Sequence, residues 1–268
     1  MGKLRWQKPA PPLKQDGIQD GNEVNVCTQG SAGPGMPTLA IKDSEDCLFL
    51  DVTVPGEVIR NSSIKVPVVD WVYGGAYIMG SKEQRTNAET MVRASNGNLV
   101  WVAANYRLGA YGFLAGTTVE KEGVPNAGFH DQRAALQWIQ KYIDLLGGDK
   151  TKVTAMGISA GAGSIAHHLV AERGTLDPLF HYAILQSPGY MNLQDRAGSI
   201  EKNYKTFEDF AGCKDKGLEC LRDISASVLR KATERANALA RPGQFTFGPA
   251  PDGKYIVSTP TLEFSAGK

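Results

Sequence analysis

A serine lies between two glycines in the stretch Gly157-Ile158-Ser159-Ala160-Gly161. At a sharp strand-to-helix turn the backbone projects a serine hydroxyl outward, and small residues two positions before and after it let the strand and helix approach. The helix start also places unpaired N–H groups beside the hydroxyl, where they favour negative charge. The pattern predicts that Ser159 is the nucleophile of an acyl-transfer reaction, although a chain with 30 glycines can contain it by chance.

A second glycine-rich turn, Gly74-Gly75-Ala76, directly follows the apolar run at 66–72. Acyl transfer needs backbone donors aimed at the developing oxyanion, each contributing about 3 kcal/mol to transition-state stabilisation. Such donors lie partly in the helix start and partly in a loop after a neighbouring buried strand. We therefore predict an oxyanion hole made by the N–H groups of Gly74, Gly75 and Ala160. The alternative is a strand-end turn that is glycine-rich for purely structural reasons.

A serine nucleophile also needs a base, and the chain has only four histidines. His167 and His168 lie about 12 Å along the predicted helix that follows Ser159, so the helix carries them away from the hydroxyl. His130 lies just before a predicted helix. His181 lies just before a predicted strand and is expected at the surface. Because the acid and histidine of this arrangement follow the serine at later strand ends, we expect structural or solvated roles for all four histidines. Without a base the chain alone should have negligible activity.

Alternating strands and helices are predicted around these residues. The predicted strands are 48–54, 66–72, 99–104, 152–156 and 182–186. Between 130 and 146 a helical spacing of apolar residues starts at Ala134, and further helices are predicted at 165–172 and, with an interruption, at 199–240. Residues 7–44, rich in Pro, Gly, Asp and Asn, are expected to be extended surface chain. This order predicts an α/β fold with a largely parallel sheet and helices on both faces.

The composition excludes several classes of partner. Twenty-nine basic residues nearly balance 28 acidic ones, which gives a formal net charge of +1 and no nucleic-acid footprint or polybasic membrane patch. The longest apolar runs are far too short to span a bilayer, so no integral membrane segment is expected. The cysteines lack zinc-site spacing, and neither a metal nor an organic cofactor is expected.

The four cysteines occur in two bracketed loops, 27–47 and 213–220. An even count in such loops favours two disulfides and an oxidising compartment, whereas four reduced cysteines in a cytosolic enzyme are the alternative. Asn61-Ser62-Ser63 is an acceptor sequence for glycosylation, which agrees with secretion. The opening residues MGKLRWQKPAPP contain no apolar stretch of the signal-peptide type. This absence conflicts with the secretion that the cysteines and the acceptor sequence suggest.

Five blocks of the sequence resemble, in order, the type-B carboxylesterase family, which includes the cholinesterases and several fungal lipases. They are EDCLFLDV at 45–52, NYRLGAYGFL at 105–114, DQRAALQWIQKYIDLLGGD at 131–149, GISAGAGS at 157–164 and LFHYAILQSP at 179–188. The resemblance runs from about Leu4 to the end of the chain. It departs from the family at Ile158, where glutamate is usual, and at 73–76, where Tyr-Gly-Gly-Ala replaces the typical His-Gly-Gly-Gly.

The resemblance implies an α/β-hydrolase fold in which residues 1–268 are the N-terminal part of a single domain. It implies that Ser159 accepts the acyl group and that Gly74, Gly75 and Ala160 form the oxyanion hole. It also implies two disulfides, because each cysteine falls where the family has a paired one. These disulfides are Cys27–Cys47 and Cys213–Cys220.

The activity implied is hydrolysis of a small-molecule or lipid ester through an acyl-serine intermediate, by a secreted protein. Family members are much longer than 268 residues, with their acid and histidine far downstream, so the chain is expected to be truncated at both ends and inactive alone. Two alternatives are a non-catalytic cholinesterase-like binding or adhesion protein and an incomplete gene product without function. Binding relatives commonly lack the nucleophile, whereas Ser159 is present here, which favours the enzyme.

Overall fold

The computed structural model describes residues 2–14, 16–18, 25–30, 43–83, 87–190, 195–240 and 244–268. Its strands are β1 (Val26–Cys27), β2 (Asp43–Ser44), β3 (Leu50–Thr53), β4 (Val66–Val72), β5 (Val100–Ala104), β6 (Gly148–Ile158) and β7 (Tyr182–Gln186). β1 and β2 form a small parallel pair, and the other five strands form one sheet. Of the segment predicted to be extended, 7–44, residues 15, 19–24 and 31–42 lie outside the described ranges.

The helices lie between and after the strands. They are α1 (Gly56–Arg60), α2 (Ala88–Ala94), α3 (Gly109–Phe113), α4 (Thr117–Glu122), α5 (Ala127–Tyr142), α6 (Ala160–Leu169), α7 (Ala171–Gly174), α8 (Glu201–Phe210), α9 (Gly217–Asp223), α10 (Ala226–Asn237) and α11 (Pro260–Ser265). Short 3-10 turns cover Gly2–Leu4 and Ile143–Leu146, and a π-helical turn covers Arg196–Ile200. The predicted helical tendency of 199–240 is confirmed, and the second cysteine loop runs from the turn after α8 into α9.

The large sheet has the strand order β3-β5-β4-β6-β7. β5, β4, β6 and β7 run parallel to their neighbours, and only β3, at one edge, runs antiparallel to β5. The largely parallel sheet predicted from the alternation of elements is therefore confirmed. Because parallel neighbours end at the same edge of a sheet, β4 and β6 deliver the residues after them to one place.

The two faces of the sheet pack against different helices. Val68 and Val153 face the larger core with Leu136 of α5 and Ile165 of α6. On the opposite face Val69, Trp71 and Trp101 pack against Val92 of α2 in a smaller cluster. A sheet covered on both faces has strands that are apolar along almost their whole length, as β4 and β5 are here. The helices on both faces hold these strands, and therefore their ends, in place.

The predicted boundaries of several elements were wrong. α5 begins at Ala127, so His130 lies inside the helix and not before it. The helix begins after Asn126, which has left-handed backbone with φ 56°. The Asn126 side-chain amide donates to the Ala250 carbonyl and to the Asp252 carboxylate. Because these partners are 124 and 126 residues away, the local spacing of apolar residues does not predict the helix start. β6 extends beyond the predicted 152–156 at both ends.

The helix predicted for 165–172 ends early. α6 stops at Leu169, and Glu172 and Arg173 have left-handed backbone with φ values of 50° and 62°. The Glu172 N–H donates to the Tyr255 carbonyl at 3.2 Å, so a contact with the C-terminal segment replaces the helical hydrogen bond. The turn after α6 therefore contacts the segment that follows α10.

Both cysteine loops are closed by disulfides. Cys27 is bonded to Cys47 with a Cα–Cα distance of 4.8 Å, and Cys213 to Cys220 with a Cα–Cα distance of 5.7 Å. In the chain-entropy model, closing the longer loop contributes about 3 kcal/mol to stability. All four cysteines are thus paired as the family resemblance implies.

Candidate active site

Ser159 forms the corner between the last residue of β6 and the first residue of α6. Its backbone has φ 55° and ψ −120°, a conformation that residues with a side chain rarely adopt and that surrounding contacts must hold. Its N–H donates to the Gln186 carbonyl at 2.9 Å, and its carbonyl accepts from the N–H groups of Gly163 at 2.9 Å and Gly189 at 2.8 Å. These three hydrogen bonds stabilise the strained corner from β7, from α6 and from the turn after β7.

The glycines on either side of Ser159 are needed for close approach. A Cβ placed on Gly161 would lie 2.1 Å from the Val72 carbonyl oxygen, so α6 begins in direct contact with the end of β4. A Cβ on Gly157 would lie 2.7 Å from the carbonyl carbon of Gly161. Glycines two positions before and after Ser159 are therefore required because β4, β6 and α6 approach too closely for side chains there.

The glycine-rich turn after β4 lies beside Ser159. A Cβ on Gly74 would be 3.0 Å from the Ser159 Cβ and 2.6 Å from the Ile158 carbonyl oxygen. The N–H groups of Gly74, Gly75 and Ala160 make no hydrogen bond to any group in the described ranges. The structure thus brings the predicted donors to the predicted serine, with their N–H groups free to bind a ligand.

Two tyrosines that the sequence motifs did not indicate hold the start of this turn. Tyr73 and Tyr106 follow the adjacent strands β4 and β5 and stack with ring centroids 4.3 Å apart. The Tyr106 hydroxyl donates to the Tyr73 carbonyl at 2.8 Å, and the Tyr73 hydroxyl donates to the Tyr106 carbonyl at 3.1 Å. Since the Tyr73 carbonyl and the Gly74 N–H share one peptide unit, the pair fixes the direction of that N–H. The only signal in the sequence was a tyrosine just past each strand end.

His167 and His168 are buried in α6 and do not contact Ser159. His168 bonds through Nδ1 to the Tyr255 hydroxyl at 2.5 Å and through Nε2 to Gln132 Oε1 at 2.8 Å, and burial holds its pKa well below the usual range. Burial also lowers the pKa of His167 to about 3, and neither of its ring nitrogens has a partner among the described residues. Both imidazoles are neutral at physiological pH.

The remaining histidines, His130 and His181, make no hydrogen bond with the serine either. Burial lowers the pKa of His130, in α5, to about 4, and His181 is exposed just before β7. The Ser159 hydroxyl therefore forms no hydrogen bond with a histidine in the described part of the chain.

The described residues offer neither a metal site nor a membrane-spanning helix. No group of three or more His, Cys, Asp or Glu side chains within the described ranges is placed to hold a metal ion. No helix in those ranges is long and apolar enough to cross a bilayer.

A parallel sheet with a strained serine at the β6–α6 corner and a glycine-rich turn beside it defines an α/β-hydrolase. The family description "Carboxylesterase family" matches residues 1–268, and the chain belongs to that family. The family membership predicted from the sequence is thereby confirmed.

Three similar proteins illustrate the relationship. A "Secreted lipase" of Arthroderma benhamiae is 42% identical over 263 residues, which cover 94% of this chain and 50% of that protein. "Lipase 2" of Geotrichum candidum is 39% identical over 241 residues, covering 84% of this chain and 42% of that protein. The crystal structure of Aspergillus niger EstA superposes with a TM-score of 0.86 at 33% identity and covers 100% of this chain and 52% of that one. The chain thus spans about half the length of these relatives.

Proposed function

We propose that this chain supplies the nucleophile and the oxyanion hole of a carboxylic-ester hydrolase. The observation that supports this most directly is the strained backbone of Ser159 beside the free N–H groups of the Gly74-Gly75 turn. A strained corner is retained only where neighbouring contacts over-determine it, and such corners cluster at active sites. This arrangement favours an enzyme over the non-catalytic binding protein considered above.

In the proposed mechanism a base takes the proton of the Ser159 hydroxyl while Oγ attacks the ester carbonyl carbon. The carbonyl oxygen becomes an oxyanion and accepts hydrogen bonds from the N–H groups of Gly74, Gly75 and Ala160. Collapse of the tetrahedral intermediate releases the alcohol, which takes up the proton, and leaves an acyl-serine. Attack by water on the acyl-serine then releases the carboxylic acid and regenerates the hydroxyl.

We infer that the acid and histidine come from protein beyond these 268 residues, and that residues 1–268 form the N-terminal part of one catalytic domain. The positions of the four histidines support this, since none is bonded to Ser159, and so does the greater length of the relatives. A base-less serine hydroxyl is a weak nucleophile at neutral pH. The 268-residue chain alone should therefore hydrolyse esters very slowly.

We propose a small-molecule or lipid ester as substrate and a secreted parent protein. Two relatives carry the name lipase, one of them a secreted lipase, and the two disulfides suit an oxidising compartment. Asn61, exposed after α1, is the proposed glycan acceptor. If the secreted protein lost no mass at the peptide containing Asn61 on treatment with a peptide N-glycosidase, the assignment of Asn61 would be wrong.

The experiment compares hydrolysis of p-nitrophenyl butyrate by the full-length protein, by its Ser159→Ala variant and by residues 1–268 alone. The proposal expects turnover by the full-length protein and loss of about 10⁴-fold or more with the alanine variant. Residues 1–268 should show only background hydrolysis. An active Ser159→Ala variant would exclude Ser159 as nucleophile, and normal turnover by residues 1–268 would exclude an external base.

A further inference from the structure

Tyr77 lies at the end of the glycine-rich turn in left-handed backbone. Ala76 and Tyr77 have φ values of 54° and 63°, which residues with a Cβ adopt only where other contacts hold them. The Tyr77 side chain is 1% exposed, and its ring meets Phe113 and Phe129 edge to face, with centroid distances of 5.3 and 6.1 Å. These rings hold the tyrosine side chain between the turn and α5.

The Tyr77 hydroxyl connects two segments that are 112 residues apart. It donates a hydrogen bond to the Gly189 carbonyl at 2.9 Å. Gly189 lies in the turn after β7, and its own N–H donates to the Ser159 carbonyl at 2.8 Å. One residue, Gly189, therefore stands between the Tyr77 hydroxyl and the backbone of the proposed nucleophile.

The Ser159 carbonyl shares a peptide unit with the Ala160 N–H, which is a proposed oxyanion donor. Hydrogen bonds in a chain polarise one another, so a carbonyl that accepts a bond makes the attached N–H a stronger donor. The bond from Gly189 also fixes the direction of this peptide unit. By holding Gly189, the Tyr77 hydroxyl acts on both the strength and the direction of the Ala160 N–H.

The same contact leaves little room for adjustment. A Cβ on Gly163, in the first turn of α6, would lie 2.1 Å from the Gly189 carbonyl oxygen and 2.5 Å from the Tyr77 hydroxyl oxygen. The turn after β4, the turn after β7 and the start of α6 therefore meet at one tightly packed point. A shift of Gly189 is transmitted to the corner at Ser159.

We propose that Tyr77 is a positioning residue, whose hydroxyl holds the oxyanion turn and the Ala160 N–H in place around Ser159. The inference rests on the proposed ester hydrolysis. Replacing Tyr77 by phenylalanine keeps the ring contacts and leaves the Gly189 carbonyl without its donor. The tetrahedral intermediate, which depends on the direction of the N–H groups, should then be destabilised more than the bound ester.

The test uses the full-length protein, its Tyr77→Phe variant and Tyr204→Phe as a matched control. Tyr204 is also fully buried, and its hydroxyl bonds to Glu208 Oε1 at 3.2 Å within α8, away from Ser159. Tyr77→Phe should lower kcat for p-nitrophenyl butyrate about 10-fold with KM changed less than about 2-fold. The inhibition constant of a boronic acid, which forms a tetrahedral adduct with serine, should rise by the same factor as kcat/KM falls. Tyr204→Phe should leave all three constants unchanged.

The outcomes separate this inference from the function on which it rests. A wild-type protein without esterase activity would refute the proposed function. An active wild type with an unchanged kcat in Tyr77→Phe would overturn the positioning role alone. The positioning role would also be overturned if Tyr77→Phe failed to fold while Tyr204→Phe folded, or if boronic acid inhibition did not change, because Tyr77 would then be only structural.

Discussion

Ser159, Gly161 and Asp70 show three different ways in which single residues of this chain depart from ordinary preferences. Ser159 adopts a strained backbone, and Gly161 occupies a position where no side chain fits. Asp70 is a carboxyl group in the middle of the central strand β4 with only 3% of its surface exposed. The first two are explained by the proposed chemistry, and Asp70 has a consequence for stability.

Gly161→Ala should destabilise the protein, because its Cβ would overlap the Val72 carbonyl. Overpacking of this kind costs about 1–3 kcal/mol or more in the free energy of unfolding, measured by urea denaturation. Gly56→Ala is the control, since its Cβ would meet only the mobile end of the Arg60 side chain at 3.1 Å. Equal stability of the two variants would contradict the close packing at the Ser159 corner.

Asp70→Asn should change how stability depends on pH. Burial raises the pKa of Asp70 from 3.8 to about 7, so between these values the folded protein binds more protons than the unfolded chain and stability falls as pH rises. The effect amounts to about 2–4 kcal/mol and is complete above about pH 7. In urea denaturation at pH 4 to 8, the variant should lack this decline. Asp209→Asn, at an exposed carboxyl, is the control, and an unchanged pH profile in Asp70→Asn would refute the prediction.

At the scale of elements, β4, β6 and β7 determine the site because their ends deliver Gly74, Ser159 and Gly189 to one edge of the sheet. α5 and α6 pack on the same side, where His167 and His168 are buried and His130 is partly buried beside Tyr255 of the C-terminal segment. Burial is the largest cause of the lowered pKa of each histidine, with nearby cations, including Arg133, contributing for His130 and His168.

The packing of α5 and α6 should make the protein sensitive to acid. The unfolded chain binds protons at these histidines below about pH 6.5, whereas His130 and His167 in the folded protein bind them only near pH 4 and pH 3. The contribution of these histidines to stability is therefore complete above about pH 6.5 and is lost as pH falls below it, by up to about 1.4 kcal/mol per histidine and pH unit. His167→Leu should flatten the decline in urea midpoint between pH 6.5 and 4.5, while the exposed His181→Gln should not. A decline as steep as wild type in His167→Leu would contradict this account.

Local pattern predicted the elements well where one signal dominates. The apolar runs predicted β4 and β7 with their observed bounds, and the glycine spacing predicted the corner at Ser159. The local pattern could not predict the hydrogen bonds of Tyr73 with Tyr106 or of Tyr77 with Gly189. These tyrosines occur in apolar stretches of the sequence, where a tyrosine can be present simply as a buried core residue. Their hydroxyl partners are set by which strand ends become neighbours, which requires the sheet order.

At the scale of the whole molecule, the sheet is unevenly covered. β7 pairs only with β6 among the described strands, and Tyr182 and Ile184 on it are 61% and 46% exposed. Ile184 lies beside Met156 on the face that α2 covers farther along the sheet. An unpaired strand edge beside exposed apolar side chains is prone to association with other chains.

Residues 1–268 produced alone should therefore self-associate. Ile184→Lys should shift the sedimentation profile toward monomer, because a charge on the strand opposes pairing. Leu145→Lys is the control, because it replaces an apolar side chain that is 80% exposed but lies in the 3-10 turn after α5 and not on β7. A monomeric wild-type chain, or an equal effect of both variants, would contradict the role given to β7.

The central claim is that Ser159 is the acyl-accepting nucleophile, and the most direct measurement is to identify the residue that a fluorophosphonate modifies. The full-length protein is treated with the reagent, digested and analysed by mass spectrometry, with Ser159→Ala in parallel. The account predicts one phosphonylated serine, Ser159, and no modification of the variant. Modification of another serine in the wild type, or labelling that persists in Ser159→Ala, would contradict it.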